Sequence, residues 1–250
     1  MRRPDTRFVA PAVIAMLALA VGACSPPPAR PTPAMSETAA TGPTASTEAG
    51  ERIRYVALGD SYTIGTSVGL DERWPNQLVA ALARGASPLD LVANLGVNGF
   101  TSRDVIDVEL PRLAGLDPGF VTLLIGVNDV VQGVPTEQFR ANAGLILDDL
   151  VGRLGPERVL VVTTPDYTVT PSGGEFGDPA QQSAGIRANN ETLAALAEAR
   201  GVTVVDIHDI SLRAATDRSL VASDGLHPSG AQYGLWVARI RPVVEVLLGR

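Results

Sequence analysis

The sequence predicts a three-layer α/β/α domain built on a five-stranded parallel sheet. Five short runs rich in Val, Ile and Leu alternate along the chain with five segments in which apolar residues recur at helical spacing. Within each run the hydrophobicity is continuous rather than alternating. Continuous hydrophobicity indicates strands that are covered on both faces, as in parallel sheets with helices on each side.

The predicted elements follow one another in regular alternation. The five apolar runs that predict strands are 54–58, 89–94, 120–125, 158–163 and 202–206. The five segments of helical period that predict helices are 74–83, 102–113, 136–154, 180–200 and 229–248. Thr101, with Asp104 in the first turn, is a start signal for the second helix. No internal repeat is present, so we assign residues 51–250 to a single folded domain.

The N-terminal 23 residues predict a secretory signal peptide. Arg2, Arg3 and Arg7 supply a positive charge, and residues 8–23 form an apolar run that ends in small residues. This run is shorter than the ~20 residues that a transmembrane helix needs. A cleaved signal is therefore favoured over a retained membrane span.

The segment that follows predicts a membrane tether. Val21-Gly22-Ala23-Cys24 resembles the lipobox of bacterial lipoproteins, which implies that Cys24 is lipidated and becomes the first residue of the mature chain. Residues 24–50 consist mainly of Pro, Ala, Thr, Ser and Glu and cannot bury enough apolar surface to fold. We expect an extracytoplasmic domain anchored to the membrane by lipid; the alternative is an ordinary secreted protein with one unpaired thiol.

Charge and composition exclude several classes of function. The net charge is −7, and removal of residues 1–23, with three Arg and one Asp, leaves −9. Nucleic acid is therefore not an expected partner, since phosphate binding needs a basic face. The chain has 20 basic residues, all of them Arg, so Schiff-base chemistry, a Walker A loop and a Ser-Lys dyad are excluded. A lone cysteine likewise excludes an intramolecular disulfide.

The histidines bear on both metal binding and catalysis. The chain contains only two, His208 and His227. His208 is flanked by Asp206 and Asp209, but no second histidine is free to join it, so a polar strand end is favoured over a metal site. We expect no metal and no cofactor, a small-molecule substrate and a monomeric protein.

Polar motifs follow the first three predicted strands, and a fourth lies near the C-terminus. Ligands of open parallel sheets bind beyond the carboxyl ends of the strands, where the first three motifs fall. Gly59-Asp60-Ser61 follows the first strand, and Asp224 and His227 lie in the C-terminal Asp-Gly-Leu-His-Pro motif. A serine hydroxyl becomes a good nucleophile when an imidazole takes its proton and a carboxylate orients that imidazole. These residues predict a Ser61 nucleophile, a His227 base and an Asp224 orienting group.

Taken in order, the motifs resemble the blocks of the SGNH (GDSL-type) family of esterases and lipases. The first block is Gly-Asp-Ser-Tyr-Thr, with Tyr62 where the family often has Leu. Residues 94–101 fit the second block, N-x-x-x-x-G-x-T, which places the family's oxyanion glycine at Gly99 rather than at the earlier Gly96. The third block, Gly-Val-Asn-Asp, contributes Asn128. The resemblance extends from about residue 54 to the C-terminus and implies a flavodoxin-like α/β/α fold.

The resemblance also implies a reaction. Attack by Ser61 on an ester carbonyl creates an oxyanion, which the backbone N–H groups of Ser61 and Gly99 and the side-chain amide of Asn128 can receive. Within this chemistry three substrate types stay open: a short-acyl ester, a lysophospholipid or thioester, and an O-acetylated envelope sugar. A function of another class is a lipoprotein that only binds a glycan or a lipid in the same cleft, although the intact catalytic set argues against it.

Two further segments bear on the site. Gly65-Thr66-Ser67-Val68-Gly69 fits the G-x-S-x-G nucleophile elbow of α/β-hydrolases, but it does not join a strand directly to a helix, so we interpret Ser67 as a loop residue. If that elbow is real, Ser67 is the nucleophile instead of Ser61. Residues 165–179 form a long connection that we expect to be one wall of the substrate pocket, with Tyr62 and the loop before Trp74 as another wall.

Overall fold

The computed structural model describes residues 52–249 and confirms the predicted α/β fold. All five strands are parallel, in the order β2-β1-β3-β4-β5. Their bounds are β1 (Ile53–Gly59), β2 (Leu89–Asn94), β3 (Phe120–Leu124), β4 (Val159–Val162) and β5 (Thr203–Val205). The predicted signal peptide, the lipidated Cys24 and the tether lie outside the described residues.

Nine α-helical segments accompany the sheet in the described part of the chain. They are α1 (Ser61–Ile64), α2 (Trp74–Leu82), α3 (Ser102–Asp104), α4 (Leu110–Leu116), α5 (Val127–Val131), α6 (Thr136–Leu154), α7 (Pro179–Glu198), α8 (His208–Leu212) and α9 (Gly230–Leu248). Short 3₁₀ turns cover Leu70–Glu72, Pro156–Arg158, Tyr167–Val169, Gly173–Phe176, Arg213–Ala215 and Arg218–Leu220. The predicted helices correspond to α2, α6, α7, α9 and the α3–α4 region.

The α3–α4 region departs from the continuous helix that the sequence predicts. A π-helical segment, Val105–Glu109, lies between α3 and α4. A π turn holds an extra residue and so rotates the side chains that follow it. Glu109, the last residue of this segment, is completely buried, and an oxygen of its carboxyl group accepts a hydrogen bond from the Gly59 N–H at the end of β1.

Both faces of the sheet are covered, as the continuous hydrophobicity predicts. In β1, Tyr55 and Ala57 belong to one buried cluster, and Val56 and Leu58 belong to the other. Two groups of helices supply the partners. The first cluster contains Trp74 and Leu78 from α2 with Trp236 and Ile240 from α9, and the second contains Phe139 and Ile146 from α6 with Leu193 from α7.

The strand order fixes where the polar motifs meet. β1 lies between β2 and β3, so the chain leaves β1 in one direction to form β2 and crosses over to form β3 on the other side. Such a switch point leaves a crevice at the carboxyl ends of the strands. Gly59 pairs with Leu124, which brings the segments that begin at Asp60 and Ile125 out of the sheet at the same level.

No helix within residues 52–249 is both long and apolar enough to span a membrane.

Candidate active site

Ser61 lies in a tight turn at the end of β1 and is the first residue of α1. Gly59 has a φ of 146°, and a Cβ atom there would lie 2.1 Å from the carbonyl oxygen of Leu124, so only glycine fits. The Asp60 carboxylate then caps α1 by accepting a hydrogen bond from the Tyr62 N–H at 2.9 Å. These contacts hold Ser61 in a nearly buried position, 7% exposed, at the bottom of a cavity.

Asp224 and His227 lie together in the loop before α9. Asp224 Oδ1 accepts hydrogen bonds from the backbone N–H groups of Leu226 and His227, at 2.9 and 3.0 Å. Asp224 Oδ2 lies 2.6 Å from His227 Nδ1. This contact assigns the proton to Nδ1, which leaves Nε2 of the imidazole as the proton acceptor.

The Asp224 carboxyl group is strongly stabilised as an anion. Partial burial opposes ionisation, but hydrogen bonds from Ser67, from the Leu226 N–H and from His227 outweigh it and hold the pKa of Asp224 well below its ordinary value. The group therefore stays ionised at neutral pH, as an orienting carboxylate must. Its side chain is 29% exposed, so water also reaches it.

The two glycines of the second block have different environments. A Cβ atom on Gly96 would lie 2.7 Å from the carbonyl oxygen of Asp60 and 2.8 Å from the N–H of Ile64, so Gly96 packs directly against the turn that carries Ser61. Gly99 has a φ of 81°, with nothing within 4 Å of the corresponding Cβ position, and it lines the cavity. The structure thus places Gly99, and not Gly96, where a substrate could reach its backbone.

Asn128 lies in α5 and is tied to the segment that carries Gly99. Its Nδ2 donates a hydrogen bond to the carbonyl oxygen of Phe100 at 3.0 Å, which fixes the orientation of the amide. Gln132, one turn further along, donates to the carbonyl oxygen of Gly99 at 2.8 Å. The second hydrogen of the Asn128 amide is a donor suited to an oxyanion in the cavity that Asn128 lines.

A cavity of about 250 Å³ brings four of the five predicted residues together. Besides Ser61, Gly99, Asn128 and His227, its lining consists of Tyr62, Asn98, Val127, Val131, Tyr167, Phe176 and Leu226. The fifth, Asp224, lies behind His227 and is joined to it by the hydrogen bond described above. None of the lining residues is a carboxylate, and none is an arginine.

The walls of the cavity match the sequence prediction only in part. Of residues 165–179, Tyr167 and Phe176 form one wall, and their rings pack edge to face with centroids 5.6 Å apart. Tyr62 also lines the cavity, as expected. The prediction for the loop before Trp74 is wrong, because none of residues 65–73 lines the cavity; Ser67 in this loop instead donates a hydrogen bond to the Asp224 carboxylate.

Three buried carboxyl groups beside the nucleophile turn were not predicted from the sequence. Burial raises the pKa of Asp60 to about 8 and that of Glu109 to about 9. Burial also raises the pKa of Asp129, although that group accepts hydrogen bonds from Ser102 N–H and Oγ at 2.9 and 2.5 Å. At neutral pH Asp60 and Glu109 are therefore mainly protonated.

His208 and Ser67, which the sequence analysis did not favour as a metal ligand and as the nucleophile, do not line the cavity. His208 begins α8, and its Nε2 lies 3.7 Å from an oxygen of Asp166. Across residues 52–249, no group of three or more His, Cys, Asp or Glu side chains is arranged to hold a metal ion. Ser67 lies in the turn after α1, as a loop residue, and not at a junction between a strand and a helix.

The fold is that of an α/β/α domain with a cavity at the carboxyl ends of its strands. The chain belongs to the GDSL-like lipase/acylhydrolase family, whose model matches residues 57–235. It is accordingly an enzyme that hydrolyses ester bonds. No curated protein sequence matches the chain significantly.

Solved structures share the fold at low sequence identity. A lipase/acylhydrolase from Enterococcus faecalis is 22% identical with a TM-score of 0.60, over 78% of this chain and 97% of that one. An acetylxylan esterase from Geobacillus stearothermophilus is 16% identical with a TM-score of 0.61, over 78% and 95%. A psychrotrophic esterase from Pseudoalteromonas sp. is 16% identical with a TM-score of 0.61, over 79% and 100%.

Proposed function

We propose that this enzyme is a serine esterase that cleaves uncharged carboxylic esters through a covalent acyl-enzyme. One observation carries the proposal: His227 Nδ1 lies 2.6 Å from Asp224 Oδ2, and His227 lines the same cavity as Ser61, Gly99 and Asn128. A nucleophile, an oriented base and oxyanion donors around one cavity are the parts that acyl transfer needs.

The first half of the reaction is acylation. Ser61 Oγ attacks the ester carbonyl while His227 Nε2 takes the hydroxyl proton, and the anionic Asp224 stabilises the resulting imidazolium. The negative charge that develops on the carbonyl oxygen is met by the N–H groups of Ser61 and Gly99 and by the Asn128 amide. When the tetrahedral intermediate collapses, the imidazolium returns its proton to the departing alcohol. Water then repeats the sequence on the acyl-enzyme and releases the acid.

The distance between nucleophile and base must shorten during this reaction. Among the described side chains, Ser61 Oγ and His227 line the same cavity without a hydrogen bond between them. Catalytic hydrogen bonds in ligand-free enzymes are often long and tighten when substrate binds.

The cavity favours a short or medium acyl chain. The cavity volume of about 250 Å³ lies at the small end of ligand pockets, which typically measure ~300–1,000 Å³. Val127, Val131 and the Tyr167–Phe176 pair supply an apolar surface for the acyl chain, without a charge in the lining that could pair with an ionic headgroup. A short-acyl ester fits this space better than the acyl chain of a lysophospholipid.

A series of p-nitrophenyl esters tests both the reaction and the size preference. We expect kcat/KM to be highest between butyrate and octanoate and to fall for palmitate. Ser61→Ala should abolish turnover of every ester, with Ser223→Ala, an exposed serine in the loop of Asp224, as the matched control. Turnover that survives in Ser61→Ala, or its absence in the wild type, would contradict the esterase and support a binding protein or the Ser67 elbow. A rise in kcat/KM up to palmitate would contradict only the size preference.

We also propose that the enzyme works outside the cytoplasm and is held at the membrane by a lipid attached to Cys24. The support is the sequence Val21-Gly22-Ala23-Cys24 after an apolar run, followed by the Pro-rich and Ala-rich segment 25–50. Metabolic labelling with an alkynyl fatty acid in a bacterial host should tag the wild type and not Cys24→Ser. Equal labelling of the two proteins, or none in the wild type, would contradict the anchor.

A further inference from the structure

The Asp224 carboxylate receives a hydrogen bond from a serine outside the predicted catalytic set. Ser67 Oγ donates to Asp224 Oδ2 at 2.7 Å, and the same oxygen lies 2.6 Å from His227 Nδ1. The two donors therefore converge on one carboxylate oxygen. Of the two, Ser67 is the partner that does not take part in proton transfer.

This hydrogen bond joins two segments that are far apart in sequence. The other hydrogen bonds to the Asp224 carboxylate come from Leu226 and His227, within its own loop. Ser67 instead lies 157 residues away, in the segment that begins with Ser61. It thus links the loop of the acid and base to the loop of the nucleophile.

The backbone around Ser67 holds its hydroxyl in place. Ser67 has a φ of 66°, in the left-handed region where non-glycine residues are uncommon. On one side Thr66 Oγ1 donates to Asn98 Oδ1 at 2.6 Å, and on the other the Gly69 N–H donates to Glu72 at 2.9 Å. Glycine would adopt this conformation more easily. Serine is less favourable than glycine in this backbone conformation, but its hydroxyl makes the hydrogen bond to Asp224.

We propose that Ser67 is a positioning residue for catalysis, which holds the Asp224 carboxylate in the orientation that keeps Oδ2 on His227 Nδ1. The proposal rests on the proposed roles of Asp224 and His227 in ester hydrolysis. Ser67 itself does not line the cavity and is not placed to touch substrate.

The effect of Ser67 follows from what the carboxylate must do. During acylation His227 becomes positively charged, and Asp224 must stay both anionic and aligned with Nδ1. Loss of the Ser67 hydroxyl removes one of the two donors from Oδ2, while the backbone N–H groups of Leu226 and His227 still hold Oδ1. The carboxylate is then less firmly aligned with Nδ1 and becomes more basic. Because the Asp224 side chain is 29% exposed, water replaces part of the lost hydrogen bond. We expect kcat to fall on the order of tenfold, a typical value for one hydrogen bond to a charged group.

The charged surroundings of Asp224 decide the direction of a pH effect. His227 faces it from its own loop, and the phenols of Tyr62 and Tyr233, from α1 and α9, lie close enough for Asp224 to influence them. Burial raises the pKa of both phenols well above the ordinary value, so both are neutral at the pH of the assay. A more basic Asp224 favours the imidazolium form of His227. The acid limb of the kcat/KM profile should therefore move to higher pH when the Ser67 hydroxyl is removed.

Two substitutions separate the hydroxyl from the backbone. Ser67→Ala removes the hydroxyl, and Ser67→Gly removes it while relieving the positive φ. Both variants should lose about tenfold in kcat on p-nitrophenyl butyrate with KM unchanged, and both should show the shifted acid limb. Ser172→Ala is the matched control, since Ser172 Oγ contacts the carbonyl oxygen of Asp224 at 3.4 Å and not its carboxylate. It should keep the kcat and pH profile of the wild type.

The possible results separate this inference from the proposed function. Wild-type kcat and pH profile in Ser67→Gly would overturn the positioning role, as would an equal loss in Ser172→Ala. Ser61→Ala and His227→Ala are measured in parallel, and activity in either one contradicts the proposed function itself. If Ser67→Ala is as inactive as Ser61→Ala and no longer reacts with a fluorophosphonate, Ser67 is the nucleophile and the positioning role is wrong.

Discussion

Glu109 should make the stability of this domain depend on pH in a direction opposite to that of most carboxylates. Its side chain is fully buried, and one oxygen accepts the Gly59 N–H at 3.0 Å. Burial raises its pKa from 4.5 to about 9. Between these two values the unfolded chain is ionised while the folded chain keeps its proton, so the folded state binds more protons and loses stability as pH rises.

The size of this effect follows from the width of that pH window. Within that window the free energy of unfolding falls by ~1.4 kcal/mol for each pH unit, for a group that is protonated only in the folded state. From pH 5 to pH 8 the total is about 4 kcal/mol, which is a large part of the 5–15 kcal/mol that stabilises a typical domain. Glu109→Gln keeps an oxygen for the Gly59 N–H and cannot ionise. The substitution should therefore remove most of this loss of stability. Burial also raises the pKa of Asp60 to about 8, so Asp60 still makes the variant lose some stability as the pH rises.

Urea unfolding at several pH values measures this difference. Trp74 and Trp236 are both buried, so their fluorescence reports loss of the fold. The free energy of unfolding of the wild type should fall from pH 5 to pH 8 by up to about 4 kcal/mol more than that of Glu109→Gln. Glu198→Gln, on the exposed face of α7, is the control and should follow the wild type. Identical pH slopes for the wild type and Glu109→Gln would show that the buried carboxyl is ionised in the folded protein, against this reasoning.

Three further predictions concern the cavity. Asn128→Ala should lower kcat by ~10²–10³ with KM little changed, because the amide acts on the oxyanion and not on the bound ester. Gly99→Ala should turn over more slowly and lower Tm modestly, because its φ of 81° is unfavourable for alanine. Gly96→Ala should lower Tm further, because its Cβ would lie 2.7 Å from the carbonyl oxygen of Asp60. Phe176→Ala should widen the cavity and raise kcat/KM for octanoate relative to acetate.

The controls for these variants use kinetics and melting curves together. A higher KM with unchanged kcat in Asn128→Ala would assign the amide to substrate binding and contradict the oxyanion role. Equal Tm values for the wild type and Gly96→Ala would contradict the close packing of Gly96. An unchanged octanoate-to-acetate ratio in Phe176→Ala would show that this ring does not limit the acyl chain.

The strands and long helices could be predicted because each carries its pattern over many residues. Residues 120–124 are all buried, and all but Thr122 are apolar, because both faces of β3 are covered; α6 shows its helical period over 19 residues. The short helices α1, α5 and α8 could not be predicted, because four or five residues do not reveal a period. Asn128 lies in α5, one of these unpredicted helices.

The site could be predicted only where residues form a motif. Ser61, Gly99, Asn128, Asp224 and His227 lie in short blocks, and the sheet brings four of them to one cavity with Asp224 directly behind. The sequence predicted these positions, and their catalytic roles stay predictions until variants are measured.

The contacts that support the site depend on tertiary folding and left no local signal. Ser67 meets Asp224 across 157 residues, and Glu109 meets Gly59 across 50. Glu109 is the last residue of the π-helical segment, Val105–Glu109. A buried glutamate in an otherwise amphipathic helix is the single feature that could have drawn attention to it, since a carboxyl group is rarely buried without a partner.

The most direct test of the central claim is to identify the residue that becomes acylated. The wild-type enzyme is treated with a fluorophosphonate, digested and analysed by mass spectrometry, with His227→Ala and Ser67→Ala treated in parallel. We predict a single adduct on Ser61 in the wild type, the same adduct formed more slowly in Ser67→Ala, and almost none in His227→Ala. An adduct on Ser67, or a wild-type enzyme that hydrolyses esters without labelling at Ser61, would contradict the account.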